Sequence, residues 1–290
     1  MVICMNNSAF IKNGILKSFL FASTLSLVTP VMAQATFLIW PIYPKIEANE
    51  KATAVWLQNT GKTDAMVQIR VFKWNQDGLK DNYSEQSEII PSPPVAKIKA
   101  GEKHMLRLTK SANLPDGKEQ SYRLIVDELP IRLSDGNEQN ASKVSFQMRY
   151  SIPLFAYGKG IGSGLTEESQ KLNAKNALAK PVLQWSVRNN QQGQSELYLK
   201  NSGQKFARLS ALKTSKTGND ISLGKAAFGY VLSNSTVKFA IDQSTSHELS
   251  KTSKIYGVDS SGIKQELIEI TKMEDPSCSF GILFYAKVFC

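Results

Sequence analysis

Hydrophobic and polar residues alternate with a period of two along most of the chain from Phe37 onward. In the clearest run, Val67, Ile69 and Val71 are separated by Gln68 and Arg70. This period is the spacing of a β-strand that buries one face. Similar short runs are separated by Gly, Asn, Asp and Pro, and no long stretch has the spacing of an amphipathic helix. The pattern predicts an all-β protein of antiparallel sandwiches. The runs cover residues 52–57, 67–72, 105–108, 122–128, 144–150, 182–187, 196–199, 228–232, 236–241, 255–258 and 267–270.

The strand pattern is interrupted once, between residues 158 and 180. Glycines occupy every second position from Gly158 to Gly164, and a polar segment follows in which we predict one short helix at Glu167–Leu178. We interpret 158–180 as a linker between two β-domains, 34–157 and 181–290. The glycines do not form a phosphate-binding loop, because they miss the third glycine of G-x-G-x-x-G and no Gly-Lys-Ser/Thr follows.

The first 33 residues have the layout of a cleaved signal peptide. Lys12 and Lys17 precede an apolar run at 19–28, and small residues follow up to Ala33. The apolar run is too short to span a bilayer permanently. We therefore predict a signal peptide at 1–33, export to the periplasm, and no stable membrane insertion.

Charge and composition narrow the function classes. The net charge is +10, or +8 once the two signal lysines are removed, which serves solubility or attracts an anionic group on a partner. No arginine-rich run or recognition-helix motif is present, so we expect no nucleic-acid partner. Cys278 and Cys290 remain after signal removal, and the sequence leaves open whether they form a disulfide.

Motifs for catalysis are missing from the sequence. The two histidines, His104 and His247, have no second histidine or cysteine at ligand spacing, and no G-x-S-x-G or H-E-x-x-H occurs. We therefore expect no enzyme activity, no cofactor and no metal site.

Several motifs, taken in order, resemble the PapD-like family of periplasmic pilus-assembly chaperones. The most specific is Ser92-Pro93-Pro94-Val95, which is followed by Gly101 and then Arg107-Leu108. Asp127-Glu128-Leu129-Pro130 is similar to the end of the sixth strand of the family, and Ile152-Pro153-Leu154-Phe155 to the end of the seventh. Within the family, the chain looks most like the archaic, Csu-type branch of the chaperone-usher pathway.

The resemblance implies two immunoglobulin-like β-sandwich domains, set at an angle with a cleft between them. Members of the family cap pilus subunits that lack their own last strand, in one-to-one complexes, and deliver them to an outer-membrane usher. The seventh strand of the chaperone completes the sheet of the subunit, so that main-chain hydrogen bonds give affinity and alternate side chains fill pockets. Carried over by position, the donor residues are Val144, Phe146, Met148 and Tyr150.

The chain departs from the family at the site that holds the terminal carboxylate of the subunit. Conventional members use an arginine and a lysine there, and those positions fall at Tyr43 and Pro153. The substitute cations that we expect are Arg123 and Arg149, together with Lys45. If residues 130–142 form the connecting loop, the two arginines should lie opposite one another on neighbouring strands.

Two further expectations concern partners. The apolar edge of the seventh strand favours self-association of the free protein. The alternative function is an exported structural or adhesive protein of immunoglobulin-like domains, which would present a surface but donate no strand.

Overall fold

The computed structural model describes residues 37–273, apart from 131–146, 219–220, 222–228 and 263. The predicted signal peptide, two of the donor residues (Val144 and Phe146) and both remaining cysteines lie outside the described residues. Strands dominate the described part and two short helices accompany them, which confirms the all-β prediction.

Two sheets form a sandwich in the first half of the chain. One sheet has the strand order β1-β3-β8-β6, and the other has the order β2-β10-β9-β4-β5, with β7 also paired to β4. Val67, Ile69 and Val71 point into the core between the sheets, as the period-two pattern predicts. The strands are β1 Phe37–Trp40, β2 Lys45–Ile46, β3 Ala52–Asn59, β4 Ala65–Asp77, β5 Lys80–Ser84, β6 Ile89–Ser92, β7 Val95–Ile98, β8 Lys103–Lys110, β9 Glu119–Leu129 and β10 Arg149–Tyr157.

The second half of the chain forms a second β-domain around its own core. Its strands follow one hydrogen-bonded path, in the order β14-β13-β16-β17-β11-β12-β15. Trp185, Leu197, Leu199 and Leu209 are buried in this core. The strands are β11 Leu183–Asn189, β12 Ser195–Asn201, β13 Ala207–Lys213, β14 Tyr230–Val231, β15 Ser235–Ala240, β16 Lys254–Asp259 and β17 Glu266–Lys272.

The sequence predicted one of the two helices in the described part and missed the other. Helix α1, Glu167–Ala174, lies within the range predicted from the sequence, and Thr166 caps its N-terminus by accepting a hydrogen bond from the Ser169 amide. Helix α2, Gln243–Ser250, was not predicted. Its only buried residues are Thr245 and Leu249, one turn apart, so its apolar face is too narrow to show in the pattern.

The segment interpreted as a linker is packed against both domains. Ile161 and Ala179 are buried in an apolar cluster with Trp74 and Phe155 of the first domain and Phe206 of the second. The rings of Phe155 and Phe206 stack with centroids 3.7 Å apart. The domain boundaries at 157 and 181 remain a proposal, and the segment between them contributes to the contact that joins the two domains.

Candidate functional site

Strand β10 has a free edge along its N-terminal half. It pairs with β9 over its whole length, Arg149–Tyr157, whereas β2 covers its other edge only at Phe155 and Ala156. Among the described residues, no strand pairs with the other edge of β10 between Arg149 and Leu154. An open edge presents unpaired N–H and C=O groups that can accept a further strand.

Two of the four predicted donor residues can be placed, and they have different surroundings. Met148 is 42% exposed, just before β10 begins. Tyr150 instead packs against the core of its own domain, where its ring meets Phe37 edge-to-face at 6.2 Å. The Tyr150 hydroxyl accepts a hydrogen bond of 3.1 Å from the Phe37 amide. In the free protein, therefore, the Met148 side chain is exposed to solvent, whereas the Tyr150 side chain packs on the core of its own domain.

Arg149, a predicted anchor, is engaged in an ion pair within the first domain. Its Nε bonds to Oδ1 of Asp127, the residue opposite it on β9. The second oxygen of Asp127 accepts from Arg70 at 2.7 Å. Burial raises the pKa of the Asp127 carboxyl, but the hydrogen bonds from Arg149 and Arg70 outweigh it and leave this pKa below its usual range. The three side chains tie β4, β9 and β10 together where the predicted donor segment joins the sheet.

The expectation that Arg123 and Arg149 lie opposite one another is wrong. Arg123 is opposite Pro153, and Arg149 is opposite Asp127, so the register differs from the expected one by four residues. The hydrogen bonds between the two strands continue to Glu128, whose amide donates to the Met148 carbonyl oxygen at 2.9 Å, so residues 125–127 are opposite 149–151 and not opposite 145–147 as the expected register required.

Arg123 lies at the contact between the domains. Its guanidinium carbon is 3.8 Å from the ring centroid of Trp74 and 5.5 Å from that of Tyr230 in the second domain. Its Nε has no hydrogen-bond partner among the described residues. Pro153 is at the position where conventional members have a lysine. Arg123 is its partner on the neighbouring strand, so a cation lies next to that position.

Lys45, the third predicted anchor, is already bonded. Its Nζ lies 2.9 Å from Oε1 of Glu47 and donates to the Ser163 hydroxyl at 2.9 Å. Burial raises the pKa of the Glu47 carboxyl, but hydrogen bonds from Ser163 and Lys45 lower it more strongly. Lys45 therefore neutralises a buried carboxylate rather than offering a free cation.

A cleft of about 310 Å³ lies between the domains and contains cations that the sequence did not single out. The guanidinium of Arg208, on β13, is 4.9 Å from the ring centroid of Tyr43 and donates to the Ser260 hydroxyl at 3.2 Å. Lys205 donates to the Ser163 carbonyl oxygen at 2.7 Å, and burial lowers the pKa of its amine. The walls carry aromatic and basic side chains beside smaller polar and apolar ones and two carboxylates, Asp259 and Glu266; the aromatic and basic ones include Tyr43, Lys45, Phe155, Tyr157, Lys205, Phe206 and Arg208.

An arginine therefore lies beside each of the two positions where conventional members have a cation. Arg208 lies over Tyr43, and Arg123 is opposite Pro153. No local motif marks Arg208, because it reaches Tyr43 only when the second domain packs against the first. Burial raises the pKa of the Tyr230 hydroxyl to about 12, and Tyr43 adds to the rise while Arg208 and Arg123 oppose it. The two arginines therefore act on the same tyrosine.

Neither a metal-binding cluster nor a membrane-spanning helix occurs in the described part of the chain. It contains no group of three His, Cys, Asp or Glu side chains placed to hold a metal ion. None of its helices is both long and apolar enough to cross a membrane.

Comparison with known proteins agrees with the resemblance seen in the motifs. Residues 43–161 match the protein family described as pili and flagellar-assembly chaperone, PapD N-terminal domain. The structure is also similar to a chain in the complex of the chaperone CsuC with the tip adhesion subunit CsuE, from archaic chaperone-usher Csu pili of Acinetobacter baumannii. The identity is 87%, the TM-score is 0.71, and the match covers 83% of this chain and 100% of that one. This chain belongs to the PapD-like family of pilus-assembly chaperones.

More distant chaperones share the fold. The Escherichia coli chaperone DraB is 14% identical with a TM-score of 0.51, and the match covers 80% of this chaperone and 96% of DraB. A chain from the Salmonella enterica complex of the SafA pilin with the SafB chaperone is 13% identical, with a TM-score of 0.53 and coverage of 82% and 97%. These members have two immunoglobulin-like domains, as predicted for this chain. No curated protein sequence matches this chaperone.

Proposed function

We propose that this chaperone captures pilus subunits in the periplasm by lending them the strand that begins before β10. The observation that carries the proposal is the free edge of β10 from Arg149 to Leu154. An incoming subunit can pair with this edge through main-chain hydrogen bonds. The 87% identity to a chain of the CsuC–CsuE chaperone–subunit complex supports the same role.

The donor side chains in this proposal are Val144, Phe146 and Met148, with Tyr150 at the border. Burying each large apolar side chain in the groove of a subunit contributes on the order of 1.5–3 kcal/mol. In the donated strand of this proposal successive side chains alternate, so these four residues would share one face. Tyr150 contributes to the subunit only if it leaves its place beside Phe37.

A pair of substitutions at neighbouring positions tests strand donation. We would co-express the chaperone in the periplasm with the tip subunit and other pilus subunits encoded beside its gene. Phe146→Glu places a charge in the groove of the subunit and should abolish the one-to-one complex. Gln147→Glu adds the same charge on the opposite face of the strand, and should leave capture intact.

The proposal is wrong if both variants capture the subunit as well as the wild type does. Circular dichroism of the two variants must match that of the wild type, so that loss of capture is not loss of folding. If the wild type binds no subunit, a structural or adhesive role becomes the better account.

We further propose Arg123 and Arg208 as the cations that hold the terminal carboxylate of the subunit. Both act on Tyr230, and they flank the positions of Tyr43 and Pro153. A guanidinium is suited to a carboxylate, because its fork of donors can make two parallel hydrogen bonds. Arg149 and Lys45 are less suited, since Asp127 and Glu47 already occupy them.

Replacing either arginine should weaken capture without unfolding the chaperone. A hydrogen bond to a charged group contributes about 1.5–3 kcal/mol, so Arg123→Gln or Arg208→Gln should weaken subunit binding by roughly tenfold to a hundredfold. Arg188→Gln is the matched control, because Arg188 also lies over a tyrosine ring, that of Tyr198, but away from the cleft. Equal affinities for all three variants and the wild type would contradict the assignment.

Delivery to an outer-membrane usher and export after cleavage of residues 1–33 complete the proposed function.

The free edge of β10 also motivates a proposal that the unbound chaperone self-associates. Sedimentation of the free protein over a wide concentration range measures this, and a strict monomer throughout would contradict it.

A further inference from the structure

The outward face of the sheet β1-β3-β8-β6 is unusually apolar. The inward residues of these strands, such as Val55, Leu57 and Leu106, fill the core. In a sheet with one solvated face, the alternate positions are expected to be polar. Here they include large apolar side chains: Leu38 is 54% exposed, Trp56 37% and Met105 47%.

These side chains form one continuous surface across three strands. The register places Trp40 beside Trp56, and Trp56 beside Met105. The two indole rings are stacked, with centroids 6.4 Å apart and planes 12° from parallel. We call Leu38, Trp40, Trp56 and Met105, with the two cations described next, the outer patch.

Two cations lie on either side of Met105 along β8. Lys103 and Arg107 are two positions before and after it, so all three side chains point outward. Same-face neighbours on a strand are about 6.7 Å apart. The Lys103 amine lies 5.6 Å from the ring centroid of Trp40. No carboxylate among the described residues pairs with Lys103 or Arg107, and no outward position of β1, β3, β6 or β8 is acidic.

This arrangement has the composition of a protein interface. Tryptophan, methionine and arginine are enriched at the centres of interfaces, and tryptophan and arginine contribute most to binding. A row of cation, apolar side chain and cation, spaced by two residues, is complementary to an extended segment with the opposite pattern. Such a segment carries an apolar side chain flanked by carboxylates at the second position on each side.

We propose that the outer patch docks an extended segment of a partner protein in which carboxylates alternate with apolar side chains. The apolar side chain of the segment packs on Trp56 and Met105, and its carboxylates bond to Lys103 and Arg107. The patch lies on the sheet opposite β10, so this inference does not depend on strand donation. The chaperone can hold a subunit on β10 while a second protein occupies the outer patch.

Intrinsic fluorescence gives a direct readout, because the chain has four tryptophans and two of them, Trp40 and Trp56, lie in the patch. Trp74 and Trp185 are buried elsewhere. We would titrate the chaperone with a short peptide that alternates glutamate and leucine, and with a matched peptide in which lysine replaces each glutamate. The glutamate peptide should shift the emission to shorter wavelength and saturate, and the lysine peptide should not.

Three variants complete the test. The double substitution Lys103→Glu and Arg107→Glu should weaken binding of the glutamate peptide by at least about tenfold and create binding of the lysine peptide. Trp56→Ser should weaken binding by a similar factor, with capture of the pilus subunit unchanged. Lys97→Glu removes an exposed cation on β7 outside the patch, and should leave the binding of both peptides unchanged.

Several results would overturn the proposal. Equal binding of both peptides would mean that the patch is merely adhesive to apolar chains. No saturation by either peptide up to about 1 mM, the weak end of specific association, would mean that no such segment docks. Self-association of the chaperone that Trp56→Ser abolishes would mean that the occupant is a second copy of this chain.

Discussion

At the residue scale, two carboxyl groups buried near the contact between the domains differ in their charge state at neutral pH. Glu47 keeps its charge because Ser163 and Lys45 bond to it. Glu119 is 6% exposed, and its Oε1 accepts a hydrogen bond from the Phe206 amide at 2.9 Å. The Tyr157 hydroxyl and Lys205 also interact with this carboxyl. Burial raises the pKa of Glu119 to about 8, so this carboxyl is protonated at neutral pH.

The raised pKa of Glu119 predicts a stability that falls as the pH rises. The folded state holds a proton that the unfolded state releases between its ordinary pKa of 4.5 and the folded value of about 8. The stabilisation is therefore complete below pH 4.5 and is lost as the pH passes through that window. Glu119→Gln keeps an acceptor for the Phe206 amide and cannot ionise, so it should flatten the dependence.

Urea unfolding of the wild type and Glu119→Gln at several pH values measures this effect. The free energy of unfolding of the wild type should lose up to about 1.4 kcal/mol per pH unit relative to the variant. Glu168→Gln, at an exposed carboxylate on α1, is the control and should follow the wild type. Parallel pH profiles for the wild type and Glu119→Gln would show that Glu119 is ionised in the folded protein.

Sequence reasoning singled out three cations, Arg123, Arg149 and Lys45, as anchors for the subunit carboxylate. In the structure Arg149 and Lys45 are bonded to Asp127 and Glu47, and only Arg123 of the three lies at the contact between the domains without such a partner among the described residues. What the sequence could not provide was the pairing of Arg149 with Asp127, or the approach of Arg208 to Tyr43. Both depend on register or domain packing, which period-two alternation does not encode.

At the scale of elements, β10 changes its environment along its length. Arg149 and Ser151 are exposed, whereas every residue from Ile152 to Tyr157 is buried. The unpaired edge, Arg149 to Leu154, includes the exposed residues and the first three buried ones, and the remaining buried residues are held between the core of the first domain and the second domain. Asp127, bonded to Arg149 and Arg70, fixes the register where the unpaired edge begins.

Removing the charge of Asp127 should lower the free energy of unfolding more than removing the charge of Arg149 or of Arg70. Asp127→Asn loses attraction to two guanidinium groups from a side chain that is mostly buried, and should lower the free energy of unfolding by about 1–3 kcal/mol. Arg149→Gln loses one pair at a mostly exposed side chain and should cost less than about 1 kcal/mol. Chemical denaturation at neutral pH compares the two, and an equal cost would mean that the Arg70 pair adds nothing.

The strands were predictable from the sequence where one face is polar and the other apolar, as in β4. The face of β4 that is buried changes near Trp74. Val67, Ile69 and Val71 point into the first core, whereas Trp74 lies on the opposite face and is buried against the second domain. A sequence pattern cannot reveal such a change, because the covering surface lies far along the chain. Helix α2 was missed for the related reason that it buries only two side chains.

At the scale of the whole molecule, one side chain makes several of the bonds between the domains. The amide of Gln76, near the end of β4, donates to the Tyr230 carbonyl oxygen at 2.8 Å. Its Oε1 accepts from the Leu232 amide at 2.8 Å and from the Ser235 hydroxyl at 2.9 Å. Together with the stacked rings of Phe155 and Phe206, these bonds hold the cleft in a defined shape.

Gln76→Ala should therefore loosen the domains from each other. It removes all three bonds and leaves buried polar groups of the second domain without partners, at a cost of about 1–3 kcal/mol for the first of them. Calorimetry should show one unfolding transition for the wild type and a broadened or divided transition for the variant. Gln192→Ala, in an exposed turn, is the control, and a Gln76→Ala profile identical to it would contradict this role.

The central claim, that the segment entering β10 is donated to a pilus subunit, is tested most directly by hydrogen exchange. Amide exchange would be compared, peptide by peptide, between the free chaperone and its one-to-one complex with a subunit. The account predicts slowed exchange over residues 143–154, where new main-chain hydrogen bonds form with the subunit. Unchanged exchange over 143–154, with protection only elsewhere, would contradict strand donation.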